Sequence, residues 1–185
     1  MNIFVTGANR GIGLEFVRQL TTRGETVLAS CRHPEKANDL KSLLSEGWII
    51  PIDVTIQDSI VQGAKVVRKK FNRIDLLINN AGVMACPLGR TAQGLDTQLG
   101  TNHLGHFVLT ARLIPQLLAG SPARIVNLSI AGHRLSPFRF EDPLFDGDAY
   151  DKWTAHVPFS YTHLRAHETE SELVCRLLLE KTKLV

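Results

Sequence analysis

The stretch that decides the fold is Thr6-Gly7-Ala8-Asn9-Arg10-Gly11-Ile12-Gly13, which follows the apolar run Ile3 to Val5. Glycines at this spacing let the chain turn tightly, and a helix that begins here presents free N–H groups to an anion. The pattern therefore predicts a pyrophosphate-binding turn between a strand and a helix. The alternative is an ordinary strand-to-helix turn without a ligand. The residues expected to contact a bound dinucleotide are Gly7, Asn9, Arg10, Gly11, Ile12 and Gly13.

Outward from this stretch, short apolar runs alternate with segments of helical periodicity. Runs that are apolar on successive residues are typical of strands buried in a parallel sheet. Such an alternation predicts an α/β fold with a doubly wound parallel sheet. The five predicted strands are Ile3 to Val5, Val27 to Ala29, Trp48 to Ile52, Ile74 to Ile78 and Ile125 to Leu128.

Apolar stripes predict which faces of the intervening helices are buried. The first helix has Ile12, Phe16 and Leu20. The helix before the fourth strand has Ile60, Ala64, Val67 and Phe71. A long helix from about Asp96 to Leu118, distorted at Pro115, has Leu104, Phe107, Val108, Ala111 and Leu118. After the fifth strand, the segment Ala131 to Trp153 reads as an irregular loop at the sheet edge where ligands bind.

Composition indicates an ordinary globular domain. The 185 residues are 44% hydrophobic and 21% charged, with a formal net charge of +3. The charges are scattered, which argues against a nucleic-acid surface, and no apolar run approaches the roughly 20 residues that span a bilayer. Three separated cysteines favour neither disulfides nor a zinc site. We expect a reduced, cytoplasmic setting and no metal, although His103 and His106 share a helix face.

The end of the second strand bears on the choice of cofactor. A carboxylate there would bind a ribose 2′-hydroxyl and repel a 2′-phosphate. This chain instead has Ser30-Cys31-Arg32-His33, and a guanidinium group suits a phosphate. Arg32, helped by Arg10, therefore favours NADP(H) over NAD(H). The alternative is that both arginines are simply solvated.

Further motifs resemble the short-chain dehydrogenase/reductase family over Met1 to about Ala155. They are Asp53-Val54 after the third strand, Asn79-Asn80-Ala81-Gly82 after the fourth, and Asn102 in the next helix. The resemblance implies a Rossmann-type fold and a small-molecule carbonyl or alcohol substrate. It also implies that Asp53 and Val54 lie near the adenine and that Asn79, Ala81 and Gly82 lie along the cofactor. Family members often pair, so an intact parent could be a homo-oligomer.

Two branches of the family share the resemblance. The first half is similar to C-factor or Sniffer-like carbonyl reductases. Two later motifs of the chain resemble the retinol-dehydrogenase-like branch. They are Asn102-His103-Leu104-Gly105-His106-Phe107 and Ala131-Gly132-His133-Arg134. The substrate class implied by the resemblance is therefore divided between the branches.

The catalytic pattern of the family is only partly present. The resemblance implies an asparagine that anchors a proton-relay water, a serine after the fifth strand, and Tyr-x-x-x-Lys. Asn102 matches the asparagine. The serine position reads Asn127-Leu128-Ser129-Ile130, so Ser129 is the remaining candidate, although strand alternation favours a structural role for it. After Ala155, where Tyr-x-x-Ser-Lys is expected, the chain reads His156-Val157-Pro158-Phe159-Ser160.

The tail from about Ser160 resembles a translated sequencing adapter. We therefore expect residues 1–155 to be an incomplete NAD(P)-binding domain, truncated after the fifth strand, and residues 156–185 to be non-native. The competing interpretation is a genuine amphipathic helix. Three functional hypotheses follow: an NADP(H)-dependent oxidoreductase whose literal chain lacks the catalytic pair and is inactive, a dinucleotide-binding module without catalysis, and a truncated fragment without function.

Overall fold

The computed structural model describes residues 1–128, 142, 144, 145 and 150–152. The strands within them are β1 (Asn2–Val5), β2 (Thr26–Cys31), β3 (Ile49–Pro51), β4 (Leu76–Asn79) and β5 (Arg124–Asn127). The helices are α1 (Gly11–Thr22), α2 (Asn38–Leu43), α3 (Gln57–Lys70), α4 (Thr97–Leu99) and α5 (Gly105–Ala119). A 3-10 turn lies at Pro34–Lys36, and a π-helical turn, Gly100–Leu104, joins α4 to α5.

All five strands belong to one sheet in the order β3-β2-β1-β4-β5, and every neighbouring pair is parallel. The chain builds outward from β1 in one direction and then returns to add β4 and β5 on its other side. The carboxyl ends of β1 and β4 therefore meet where the strand order reverses, which is where open α/β sheets bind ligands. The predicted Rossmann-type, doubly wound α/β fold and its five strands are confirmed, with strand ends that differ by one or two residues.

Both faces of the sheet are covered, which explains why its strands are continuously apolar. In β1, Phe4 packs in the core cluster shared with α3 and α5, whereas Ile3 and Val5 pack in the cluster shared with α1 and α2. All three side chains are fully buried.

The buried face of α3 is as predicted, and that of α1 is as predicted at Leu20 and in part at Phe16, but not at Ile12. Ile12 is 63% exposed, and the buried residues of α1 are Gly13, Leu14, Val17 and Leu20. A Cβ atom on Gly13 would lie 2.4 Å from both the Asn80 Nδ2 atom and the Gly7 carbonyl oxygen. The absence of a side chain at Gly13 thus lets α1 pack closely on this face, and the face is rotated away from Ile12.

The long helix also buries a different face from the predicted one. Its buried residues in α5 are Gly105, His106, Leu109, Leu113 and Leu117, whereas Phe107 and Leu118 are 60% and 71% exposed. The π-helical turn precedes this face, and in it the N–H of Gly105 donates to the carbonyl of Gly100. The physical reason for the observed face is Gly105, since a Cβ atom there would lie 2.2 Å from the Val54 carbonyl oxygen. The face that carries Gly105 can therefore approach the sheet most closely, and Leu109, Leu113 and Leu117 continue it at a spacing of four residues. The helix runs unbroken through Pro115.

Several predictions fall outside the described residues. Ser129 and Ile130 lie outside them, as does the adapter-like tail, and the predicted irregular loop is described only at residues 142, 144, 145 and 150–152. The division of the chain at residue 155 therefore stays a prediction. In the described ranges, no helix has both the length and the apolar character that crossing a membrane requires.

Candidate functional site

The glycine-rich turn connects β1 to α1 in a backbone conformation that favours glycine. Gly7 and Gly11 have φ angles of +62° and +56°, a region that other residues rarely adopt. A Cβ atom on Gly7 would also lie 2.6 Å from the Ala81 Cα atom. The N–H of Ala8 donates to the Ser30 carbonyl at 3.0 Å, which holds the turn against the end of β2.

The loop after β4 packs directly beneath this turn. The Asn80 Nδ2 atom donates to the carbonyl oxygens of Thr6 and Gly7 at 2.8 and 2.9 Å. In return, the Thr6 hydroxyl accepts from the backbone N–H groups of Asn80 and Ala81 at 2.9 and 3.0 Å. The two motifs singled out in the sequence are therefore one structural unit at the strand-order reversal.

The start of α1 has the properties of an anion site. Its N-cap residue, Arg10, makes no side-chain capping hydrogen bond, and its first turn contains no acidic residue. Gly11 and Ile12 are exposed, and a Cβ atom on Gly11 would meet no atom within 4 Å. The first N–H groups of the helix are therefore accessible, and the helix dipole favours a negative charge there. The diphosphate of a dinucleotide fits this place.

Two arginines lie close to this helix start. Arg10 is in the turn itself, and Arg32 is two residues beyond Ser30, whose carbonyl binds the turn. Both are exposed, and neither forms an ion pair with any residue that the structure describes. The nearby carboxylate of Glu35 instead pairs with the His33 Nδ1 atom at 3.2 Å. The two guanidinium groups are thus available to an external anion.

Asp53 and Val54 lie just beyond β3, at the same edge of the sheet. The Asp53 Oδ1 atom accepts from the backbone N–H and the hydroxyl of Thr55 at 2.9 and 2.7 Å. The Val54 side chain is buried in the core cluster shared with α3 and α5. Both residues therefore have structural contacts of their own, and their position near an adenine stays a prediction.

The side chain of Asn79 bonds to β5 and α5. It is buried, and its Nδ2 atom donates to Asn127 Oδ1 at 2.7 Å and to Thr110 Oγ1 at 3.1 Å. Asn79 thus connects β4 to β5 and α5, and the residues that border the turn are Asn80 and Ala81.

Asn102 lies in the π-helical turn and holds the loop that follows Gly82. Its Oδ1 atom accepts from the N–H of Val83 at 2.9 Å, and its Nδ2 atom donates to the Val83 carbonyl at 2.8 Å. A Cβ atom on Gly82 would lie 3.3 Å from the Asn102 Oδ1 atom. The candidate asparagine therefore lies beside the predicted cofactor loop. Both polar atoms of its side-chain amide are hydrogen-bonded to the backbone of Val83.

A second polar group lies on the other side of the π-helical turn. The buried Gln98 accepts from the N–H of Ala85 at 3.0 Å and donates to the Tyr150 hydroxyl at 2.8 Å. The Tyr150 hydroxyl donates to the Cys86 carbonyl at 2.9 Å, and burial raises the pKa of the Tyr150 phenol. Tyr150 therefore anchors the loop after β4 instead of offering a readily transferred proton.

Three residues of this region were missed in the sequence. Thr6 and Asn80 belong to the glycine-rich motif and to the Asn79–Gly82 motif, so their places in these motifs could have identified them as site residues. His106 contacts the Thr6 hydroxyl from 100 residues away, and no local pattern indicates that contact.

A family model described as short chain dehydrogenase matches residues 1–139. The chain belongs to the short chain dehydrogenase family. Family members bind NAD(P) and act on small molecules, and both branches noted in the sequence have members among the proteins to which this one is similar.

The chain is 39% identical to bovine (Bos taurus) retinol dehydrogenase 12 over 167 residues, which is 87% of this chain and 51% of that protein. Among solved structures, an uncharacterized protein from Mycobacterium paratuberculosis is 32% identical, with a TM-score of 0.78 over 97% of this chain and 63% of that one. The carbonyl reductase Sniffer of Caenorhabditis elegans is 30% identical, with a TM-score of 0.60 over 71% of this chain and 63% of that one. The chain spans about half the length of the curated relatives that it matches.

Proposed function

We propose that this chain holds NADP(H) at the carboxyl edge of its sheet, as the cofactor-binding part of an oxidoreductase that interconverts an alcohol and a carbonyl compound. One observation carries the proposal. The uncapped start of α1 packs against the Asn80–Ala81 loop and lies close to Arg10 and Arg32, which pair with no described carboxylate.

Each part of this edge has a role in binding the cofactor. The first N–H groups of α1, at Gly11, Ile12 and Gly13, would hold the diphosphate. Arg10 and Arg32 would bind a 2′-phosphate, because a guanidinium group can donate two parallel hydrogen bonds to phosphate oxygens. Asp53 and Val54 would border the adenine. When bound, the cofactor supplies or accepts the hydride.

The substrate that we propose is an apolar alcohol or its aldehyde or ketone. Ile12 in the turn, and Met84 and Leu88 in the loop after β4, expose 63%, 61% and 47% of their surfaces. Exposed apolar side chains beside a binding site favour an apolar ligand. The names of two similar proteins, retinol dehydrogenase 12 and carbonyl reductase Sniffer, describe alcohol and carbonyl chemistry.

For the 185-residue chain itself, we propose binding without turnover. Reducing a carbonyl requires a proton donor beside the developing alkoxide. At the position of the family's Tyr-x-x-Ser-Lys, the sequence reads His156-Val157-Pro158-Phe159-Ser160. Resequencing the coding DNA across residues 127–185 tests this point, because a Tyr-x-x-x-Lys pattern after Ala155 would identify an active parent and a foreign tail.

Binding is tested by titrating the full chain with NADPH and NADH and following cofactor fluorescence. We expect saturable binding, with NADPH about tenfold or more tighter than NADH, since a charge-assisted phosphate contact contributes about 1.5–3 kcal/mol. The double variant Arg10→Ser/Arg32→Ser should lose this preference. The control Arg23→Ser, at the far end of α1, should keep it.

The outcomes separate the hypotheses. Equal binding of the two cofactors by the unmodified chain would contradict the NADP assignment and leave a general dinucleotide site. A folded chain that binds neither cofactor would contradict the proposed function. An aggregated, protease-sensitive chain would instead support the third hypothesis, a fragment without function.

A further inference from the structure

His106 is a buried histidine that connects α5 to the glycine-rich turn. Only 7% of its surface is exposed. Its Nε2 atom lies 3.3 Å from the Thr6 hydroxyl, and its Nδ1 atom lies 3.3 Å from the carbonyl oxygen of Asn102. The imidazole therefore lies between the π-helical turn and Thr6, the residue whose hydroxyl binds the backbone of the loop after β4.

The partners assign the ring proton. A carbonyl oxygen can only accept, so Nδ1 carries the hydrogen and donates it to Asn102. The Nε2 atom of a neutral ring then has a free lone pair. The Thr6 hydroxyl already uses its two lone pairs to accept from Asn80 and Ala81. Its single proton can therefore be donated to His106, with the Ile78 carbonyl at 3.4 Å as the competing acceptor.

Burial is consistent with this assignment. It lowers the pKa of His106 from its ordinary value of 6.5 to about 4, so the ring is neutral under physiological conditions. A protonated ring would direct a second N–H at a hydroxyl that already accepts two hydrogen bonds. Both ring nitrogens are occupied, which also leaves no lone pair for the metal site considered from the sequence.

We propose that His106 is a positioning residue for the dinucleotide site, because it orients the Thr6 hydroxyl and thereby fixes the Asn80–Ala81 backbone beneath the Gly7 turn. This inference rests on the proposed function. Gly7 packs directly on that backbone, since a Cβ atom on Gly7 would lie 2.6 Å from the Ala81 Cα atom. Loss of the Thr6–His106 contact should therefore loosen the turn that receives the diphosphate.

Three variants of the full chain distinguish orientation of the Thr6 hydroxyl by His106 from mere packing of the His106 side chain. His106→Gln places its amide near the Nε2 position and can keep the contact with Thr6. His106→Asn places its amide near the Nδ1 position and can keep only the contact with Asn102. His106→Leu keeps neither. The readouts are the NADPH dissociation constant and the hydrogen-exchange rates of the Asn80 and Ala81 amides, with the melting temperature recorded in parallel.

We expect His106→Leu and His106→Asn to weaken NADPH binding about five- to tenfold and to accelerate exchange at both amides, as the loss of the buried hydrogen bond to Thr6, which both variants share, predicts. His106→Gln should stay within about threefold of the unmodified chain in both respects. If His106→Leu does not fold, the comparison between His106→Gln and His106→Asn decides the question.

Two results would overturn the inference. One is unchanged binding and unchanged amide exchange in every folded variant. The other is weaker binding in all three variants, His106→Gln included, that follows only the drop in their melting temperatures, which would make His106 a packing residue. If the unmodified chain binds no dinucleotide, the proposed function fails, whereas the exchange rates at Asn80 and Ala81 still test the role of His106.

Discussion

At the scale of single residues, the Thr6 hydroxyl is the centre of the candidate site. It contacts the backbone of two residues after β4 and the imidazole of α5, and a hydroxyl is the smallest group that can both donate and accept at that point. A valine at position 6 would fill nearly the same volume but would leave the two partly buried N–H groups of Asn80 and Ala81 without this acceptor. Such groups cost about 1–3 kcal/mol each.

His106 gives the stability of the chain a dependence on pH. Its pKa is about 4 when folded and 6.5 ordinarily, so the unfolded chain binds a proton at higher pH than the folded chain does. The contribution of His106 is therefore fully present above pH 6.5 and is lost as the pH falls toward 4, by about 3 kcal/mol in total. Urea unfolding between pH 7 and pH 4.5 measures this loss.

The control for this prediction is His106→Gln, which does not titrate in that range. The stability difference between the unmodified chain and His106→Gln should change with pH, whereas the carboxyl groups common to both cancel. Two parallel stability curves would show that His106 titrates alike in the folded and unfolded states, contrary to its burial.

At the scale of elements, Gly105 determines how closely α5 approaches the sheet. A Cβ atom there would lie 2.2 Å from the Val54 carbonyl oxygen, which is backbone and cannot rotate away. At Gly100, in the π-helical turn, the corresponding Cβ atom would lie 2.5 Å from the Thr91 Cγ2 atom, the end of a side chain. The two glycines can therefore be compared directly, because Gly105 lies against backbone and Gly100 against a side chain.

We expect Gly105→Ala to destabilise the chain by about 3 kcal/mol and Gly100→Ala by about 1 kcal/mol, because overpacking against backbone forces the helix to move. Chemical unfolding of the two variants measures the difference. Equal costs would mean that α5 can shift without penalty and that its depth against Val54 is not fixed by Gly105.

The same region shows why some elements could be predicted and others could not. The strands are defined by local runs such as Ile3 to Val5, and α3 by an uninterrupted stripe, so both follow from neighbouring residues. The predicted stripe through Phe107 and Leu118 is wrong, because the buried face of α5 follows the close approach of Gly105 to Val54, and apolar periodicity does not report the approach of a glycine. The contacts of Thr6 join residues 74 to 100 positions apart, which periodicity does not report.

At the scale of the whole molecule, the described surface includes an apolar stripe on α5. Phe107, Ile114 and Leu118 follow at helical spacing and expose 60%, 47% and 71% of their surfaces. Exposed apolar stripes of this kind favour association in water. We expect the 185-residue chain to associate increasingly with concentration, as measured by light scattering after size-exclusion chromatography.

The double variant Phe107→Glu/Leu118→Glu should shift the chain toward the monomer. Val66→Glu, which adds a charge to the exposed side of α3 outside the stripe, is the control and should have little effect. A monomeric unmodified chain at all concentrations, or equal effects of both substitutions, would contradict the assignment of association to α5.

The position of His106 in the chain also bears on the order of folding. The glycine-rich turn and its flanking strand and helix are local and can form early, but the Thr6 hydroxyl gains its last partner from a residue 100 positions later. Closing a loop of that length is entropically costly and follows the formation of local contacts. During synthesis, the growing chain therefore has its turn long before α5 arrives to hold it. On the proposed function, we expect competence to bind a nucleotide only when the second half of the sheet has assembled.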